Sequence, residues 1–363
     1  MTETAASTDM LVGAIGEWYN AIVRHDIAEA KQKKTYTEEL RRHVIPDKKV
    51  QTYYQLVDFR HKILTEEILH RPLGQDKAIV DESIADTDNV LKYLYHHMEG
   101  RLQFYQEHYL LALRNYQQAE RHLDHVSDLE RAEFYYLLGE GFYRVNQYMH
   151  ANAYFEQAKE LFSVSSQHQD RVHTCNYLQA AIYSELKHYE KAEELFNFCL
   201  NNRELDEYTL SLVLRAYGLH KERHGELVAA KELLFESLYT GNQYETLIGT
   251  KTKTNLANLL LRTGDSKGFE LLEEAEQETN KYEMVEFSSL NLITRGLYDK
   301  EMQLSKVEQG INQLIEYELY FEATEAAEQI AEILEDNGNF QYALHYLKIA
   351  NELRIKQNSI GVE

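Results

Sequence analysis

The sequence predicts an all-α protein, a three-helix bundle followed by an array of helix pairs, and three observations predict it. The 363 residues include only two prolines, Pro46 and Pro72, so few positions oblige a helix to break. There are 27 tyrosines, whose large rings with polar tips suit crowded helix seams that end at solvent. Small residues recur at a near-constant step, at Ala112, Ala151, Ala192, Ala230 and Gly268, about 40 residues apart.

Each recurrence sits in a wider pattern. Residues 139–158 read Gly139, Phe142, Tyr148, Ala151, Phe155, Ala158, and residues 180–199 repeat this as Ala180, Tyr183, Tyr189, Ala192, Phe196, Cys199. Further copies begin at Gly100, Gly218, Ala257 and Ala331. A small residue where two helices cross, with aromatics beside it, is the signature of a tetratricopeptide unit. The step from Gly268 to Ala343 is close to two units, so a diverged unit is expected near residues 283–320. The prediction is a right-handed tetratricopeptide-repeat superhelix of about seven helix pairs. Asn146-Gln147, Gly225, Gly264-Asp265 and Asn337-Gly338-Asn339 supply the turns within pairs.

The first 70 residues fall outside the period. They read as three amphipathic helices, roughly 9–24, 26–43 and 50–69, with Pro46 parting the last two and Arg71-Pro72-Leu73-Gly74 as a linker. The expected domains are a bundle over 1–70, a linker and connecting helix over 71–95, and a solenoid over 96–363.

The formal net charge is −22. Residues 1–70 are nearly neutral, with ten Lys/Arg against eleven Asp/Glu, so the repeats hold almost the whole excess. Such a surface repels nucleic acid and anionic membrane alike. No run of about 18 apolar residues exists to span a bilayer. The N-terminus has no apolar signal segment, and the two cysteines, Cys175 and Cys199, form no CxxC, so a reducing cytoplasm is expected. Both cysteines read as small packing residues.

Neither a phosphate-binding glycine loop nor a metalloprotease or serine-hydrolase motif is present, and no cofactor or metal is expected. His220 and His224 lie four apart on one helix face, with Glu222 between them, but a solvated helix end accounts for them better than a metal site. The first helices of the pairs should line a concave groove. The repeat phase directs Glu140, Tyr143, Tyr177, Glu185, Arg215, Glu222, Lys251 and Asn258 into it. Mixed charges, an amide and aromatic rings suit an extended peptide.

The stretch Ile15-Gly16-Glu17-Trp18-Tyr19-Asn20-Ala21-Ile22 resembles the opening of the Rap family of quorum-sensing regulators of spore-forming bacteria. Tyr53-Tyr54-Gln55-Leu56-Val57-Asp58-Phe59-Arg60-His61-Lys62 resembles the third helix of the same family. The order of parts agrees over the whole chain. The resemblance implies a bundle that binds a response regulator or its DNA-binding domain, in sporulation or competence control. It also implies a short Phr-type peptide that binds the repeats, compacts the protein and releases the regulator.

Three positions depart from the family pattern. Lys48 stands where the phosphatases of the family carry a water-orienting glutamine, and a charged lysine accepts no hydrogen bond. The family's peptide-anchoring Asp corresponds to Glu185, before Leu186-Lys187-His188-Tyr189, while its anchoring Asn corresponds to Ala216, which leaves Asn258 as the substitute amide. The resemblance therefore implies a peptide-controlled inhibitor that works without chemistry, with Lys48, Tyr54 and Phe59 as regulator-binding residues. Tyr54 and Phe59 are not expected to share one narrow buried stripe. An aspartyl-phosphate phosphatase is the alternative reading, and a generic tetratricopeptide scaffold the second alternative.

Overall fold

The computed structural model describes residues 7–68, 88–201 and 205–359, all helix, turn or loop. The Arg71–Gly74 linker lies outside the described residues. The first three helices are α1 (Thr8–Val23), α2 (Ile27–Arg42) and α3 (Lys48–Ile68). Ser7 and Asp26 cap α1 and α2 by accepting the backbone N–H of Met10 and Glu29. Fourteen further helices follow as seven pairs among the described residues. They are α4 (Asn89–Tyr105) and α5 (Tyr109–Glu120), α6 (Asp128–Arg144) and α7 (Tyr148–Phe162), and α8 (Gln169–Glu185) and α9 (Tyr189–Leu200). Next come α10 (Glu207–Arg223) and α11 (Leu227–Tyr239), then α12 (Leu247–Arg262) and α13 (Gly268–Lys281). The last are α14 (Val285–Tyr298) and α15 (Leu304–Glu316), and α16 (Tyr320–Asp336) and α17 (Phe340–Ser359). The diverged unit is the pair α14 and α15.

Packing divides the chain into two compact units, Met1–Gly141 with Gln157–Val164, and Phe142–Glu156 with Ser165–Glu363. In the first unit α3 packs on α1, α2 and α4, which buries it over a broad arc. Both Tyr54 and Phe59 are consequently buried, at 8% and 7% exposure, against the expectation of a single narrow stripe. Tyr54 lies 5.6 Å from the Trp18 ring, with the Arg41 guanidinium 4.3 Å above its own. Trp18 donates its indole N–H to His61 Nδ1 at 2.9 Å. Burial, reinforced by Lys34, pushes the His61 pKa down to about 4, so the imidazole accepts this bond as a neutral ring.

The deepest polar group of this unit is an ion pair. The Arg60 guanidinium forks onto the Glu130 carboxylate, which also accepts the Tyr93 hydroxyl. Glu130 is fully buried. Burial alone would raise its pKa, but Arg60 overrides that and holds the carboxyl well below the usual carboxylate range.

In the second unit each first helix packs against its own second helix, and first helices of successive pairs lie side by side, α8 with α10, α12 with α14, and α14 with α16. The small residues of the repeat sit at the crossings, in both units. A Cβ on Gly218 would lie 2.9 Å from the Leu234 side chain and 3.3 Å from the Ala230 carbonyl. A Cβ on Gly100 would lie 2.5 Å from the ring of Tyr116, which is itself fully buried. Turns within pairs place Glu107, Asn146, Lys187, Gly225, Gly264 and Gly338 in the left-handed region, at the spacing of the repeat. Cys175 and Cys199 are both buried, and burial pushes the Cys199 thiol up to about 12, as suits a packing residue.

Two glycines occupy opposite surroundings, one on an exposed helix face and one on a crowded face. Gly13 is exposed in α1, with nothing within 4 Å of an added Cβ. Gly13→Ala should stabilise by about 1 kcal/mol through helix propensity alone. Gly100→Ala should destabilise by roughly 1–3 kcal/mol of overpacking, less that same gain. Urea denaturation of the two variants checks the contrast, and equal stabilisation by both would show that Tyr116 yields freely.

Candidate functional site

In the second unit, the end of α6, the α6–α7 turn and the inward faces of α8, α10, α12, α14 and α16 enclose a cavity of about 390 Å³. Its walls are mainly first helices, because these lie side by side while the second helices pack behind them. Leu219, Phe287, Leu290, Ile293 and Phe321 give it apolar surface, and a ladder of charged and amide groups crosses it.

The rungs join different pairs, some of them neighbours and some far apart in the chain. Arg223 Nη2 lies 2.7 Å from Glu185 Oε1, and its Nε 3.7 Å from Glu325. Arg262 Nη2 donates to Glu222 at 3.0 Å. Arg144 bridges two carboxylates, Glu286 and Glu322, the second at 2.9 Å. Arg215 Nη2 donates to Asn255 Oδ1 at 2.8 Å. Asn258 donates to Thr294 Oγ1 and accepts from Gln329 Nε2, both at 3.0 Å. Tyr143 donates its hydroxyl to Glu185 at 3.4 Å.

Of the residues that the repeat phase assigns to the groove, Tyr143, Glu185, Arg215, Glu222 and Asn258 line this cavity. Tyr177 is buried within α8. The Lys251 ammonium sits 5.1 Å above the ring of Phe287, behind that wall. Glu140, in the first unit, accepts the Tyr136 hydroxyl one helical turn away at 2.9 Å. Sequence reasoning missed Arg144, Arg223, Arg262, Glu286, Glu322 and Glu325. A signal was present: the bond from Arg262 to Glu222 and the bond from Arg215 to Asn255 each span 40 residues, one repeat.

His220 points into the helix seam and away from this cavity. Its Nδ1 lies 3.0 Å from Ser184 Oγ and its Nε2 3.2 Å from Glu193. The trio has the composition of a hydrolytic triad, but Ser184 and His220 are buried, so no substrate reaches the hydroxyl. The metal alternative dissolves too, since Glu222 turns to Arg262 and not to the histidines.

Elsewhere, Lys48 is the exposed first residue of α3. Ile45, in the preceding loop, is 98% exposed, an apolar side chain the sequence reading did not single out.

The cavity sets a pH dependence. Burial raises the Glu322 carboxyl to about 8, against the pull of Arg144 and with added repulsion from Glu286. Burial likewise lifts Glu185 to about 7 despite Arg223. A carboxyl in an unfolded chain titrates near 4.3. Between that value and the raised one, the folded state keeps a proton that the unfolded state has released, so stability falls as pH rises through the window. Glu322→Gln is permanently neutral and should lose less stability than wild type between about pH 5 and pH 8.5. Melting temperatures across that range check it; parallel curves would place the titration elsewhere.

A family model described as response regulator aspartate phosphatase H, N terminal, matches residues 6–66. Response regulator aspartate phosphatase A of Bacillus subtilis is 26% identical over 347 residues, which span 92% of this chain and 91% of that protein. Type II methyltransferase M.CeqI of Rhodococcus hoagii is 34% identical over 367 residues, 99% of this chain and 70% of that protein. The solved structure of a Rap protein complexed with Competence and Sporulation Factor superposes with a TM-score of 0.85, at 18% identity, over 97% of this chain and 99% of that one. The helix pairs of the described residues share the fold of that Rap structure, and with its bundle matched by the family model and 92% of its length by response regulator aspartate phosphatase A, the chain belongs to the Rap family.

Proposed function

We propose that this protein is a peptide-controlled inhibitor of a bacterial response regulator. The bundle, residues 1–70, binds the regulator or its DNA-binding domain and blocks its output. The repeats, which open with the α4–α5 pair, bind a short signalling peptide that releases it. The observation that carries this reading is the charged ladder lining a cavity on the first helices. Rows of alternating Arg and Glu with interspersed amides match the backbone and terminal groups of an extended peptide.

Among the described residues no helix is long and apolar enough to cross a membrane, and we place the protein in the cytoplasm, where response regulators act. Lys48 and Ile45 give the bundle an exposed cationic and apolar corner, complementary to the acidic phosphorylation pocket of a receiver domain. Tyr54 and Phe59 support α3 from beneath. In the peptide site, Glu185 receives the cationic end of the ligand, sharing its carboxylate with Arg223.

The relatives named as aspartate phosphatases favour a second reading, hydrolysis of the regulator's aspartyl phosphate. Lys48 argues against it, because a charged lysine cannot orient a water by accepting its hydrogen.

Calorimetric titration against a panel of purified response regulators tests the proposal. One regulator should bind, and Lys48→Glu should weaken it about tenfold or more by turning attraction into repulsion. Glu185→Ala should leave that binding intact and weaken the releasing peptide by about ten- to a hundredfold, the value of a charge-assisted hydrogen bond. Phosphate release from the bound, phosphorylated regulator, lost in Lys48→Ala, would establish the enzymatic reading instead.

A further inference from the structure

The ladder has one rung of a different kind. Four arginines line the cavity. Arg144, Arg223 and Arg262 each hold at least one carboxylate within 4.0 Å. Arg215 holds only the amide oxygen of Asn255, and its Nε is buried with no partner. Among the described residues no carboxylate reaches it within ion-pair distance.

A guanidinium taken from water without an anion is costly, because the charge loses its hydration and gains nothing in return. The position registers that cost, for burial lowers the pKa of Arg215, with Glu286 favouring the cation and Arg144 opposing it. A second donor in the lining is also idle. Asn146, held in the left-handed conformation at the α6–α7 turn, accepts the Tyr148 hydroxyl through Oδ1 while its buried Nδ2 has no partner. Idle, buried donors in the cavity lining define what a ligand must bring, namely acceptors, at least one of them charged.

We infer that the ligand of this cavity presents a carboxylate to Arg215, so that the signalling peptide is recognised by an acidic group as well as by its cationic one. This rests on the peptide reading above and specifies its chemistry. A carboxylate suits the site better than a phosphate. It matches the guanidinium fork with a single charge, whereas a dianion would meet stronger repulsion from Glu286, whose carboxylate is held by Arg144. The carboxylate comes either from the C-terminus of the peptide or from an Asp or Glu side chain.

Four pools of randomised pentapeptides separate these sources: with or without Asp and Glu, and each as the free acid or the C-terminal amide. The full-length protein is incubated with each pool, and retained peptides are counted by mass spectrometry after gel filtration. The wild type should retain peptides from the pools that carry a carboxylate, and at least tenfold fewer from the amidated pool lacking Asp and Glu. Retention from the acidic amides alone assigns a side chain; retention from both free-acid pools assigns the C-terminus. Arg215→Gln, which keeps a donor for Asn255, and Arg215→Met should each lose about ten- to a hundredfold of that retention. Both should melt at or above the wild-type temperature, since each removes a partly buried cation that has no carboxylate partner. Equal retention of the amidated, acid-free pool would overturn the carboxylate inference and leave the peptide reading standing. No retention from any pool would overturn the peptide reading and this inference with it.

Discussion

A guanidinium drawn into a helix seam must be met by an anion, and much of the polar architecture here follows from that requirement. In the first unit, Arg60 from α3 and Glu130 from α6 neutralise each other out of water, with Tyr93 completing the carboxylate's shell. The pair is more a specificity device than a source of stability. Apolar residues of the same volume would serve the core as well, but they would not fix which helices meet or in what register. In the second unit the same rule operates at the rim of a cavity, where Arg223 and Arg262 reach acids on the preceding pair and Arg144 reaches acids far along the chain.

The fold was legible because its signal is repeated. Steric demand at each crossing forces a small residue, and its recurrence survives where the rest of a unit drifts. The α14–α15 pair was found only by subtraction, and the reason is visible. Gly296 and Gly310 take the close-approach positions there, and its connecting turn uses none of the left-handed residues that mark the other pairs. The bundle was legible in outline but not in burial, since one face of α3 was expected to do what α1, α2 and α4 together do to it.

The site was legible in part for a related reason. Helical phase places a residue on the inner face, which sufficed for Tyr143, Glu185, Arg215, Glu222 and Asn258. Phase cannot say which inner residues find each other across pairs, so Arg223 and Arg262 went unseen although their acids did not. Tyr177 and Lys251 show the converse error, where the inner face of a helix is wider than the cavity it borders.

The left-handed turns have a temporal consequence. Glu107, Asn146, Lys187, Gly225, Gly264 and Gly338 each reverse the chain within a few residues, so the two helices of a pair meet soon after both exist. Loops that short cost little entropy to close, and a topology dominated by near neighbours folds quickly. A nascent chain emerging from the ribosome can therefore seat each hairpin on the one before it, without waiting for distant sequence. Segments that must wait are those whose charge is answered far along the chain, above all Arg144, whose acids arrive 142 and 178 residues later.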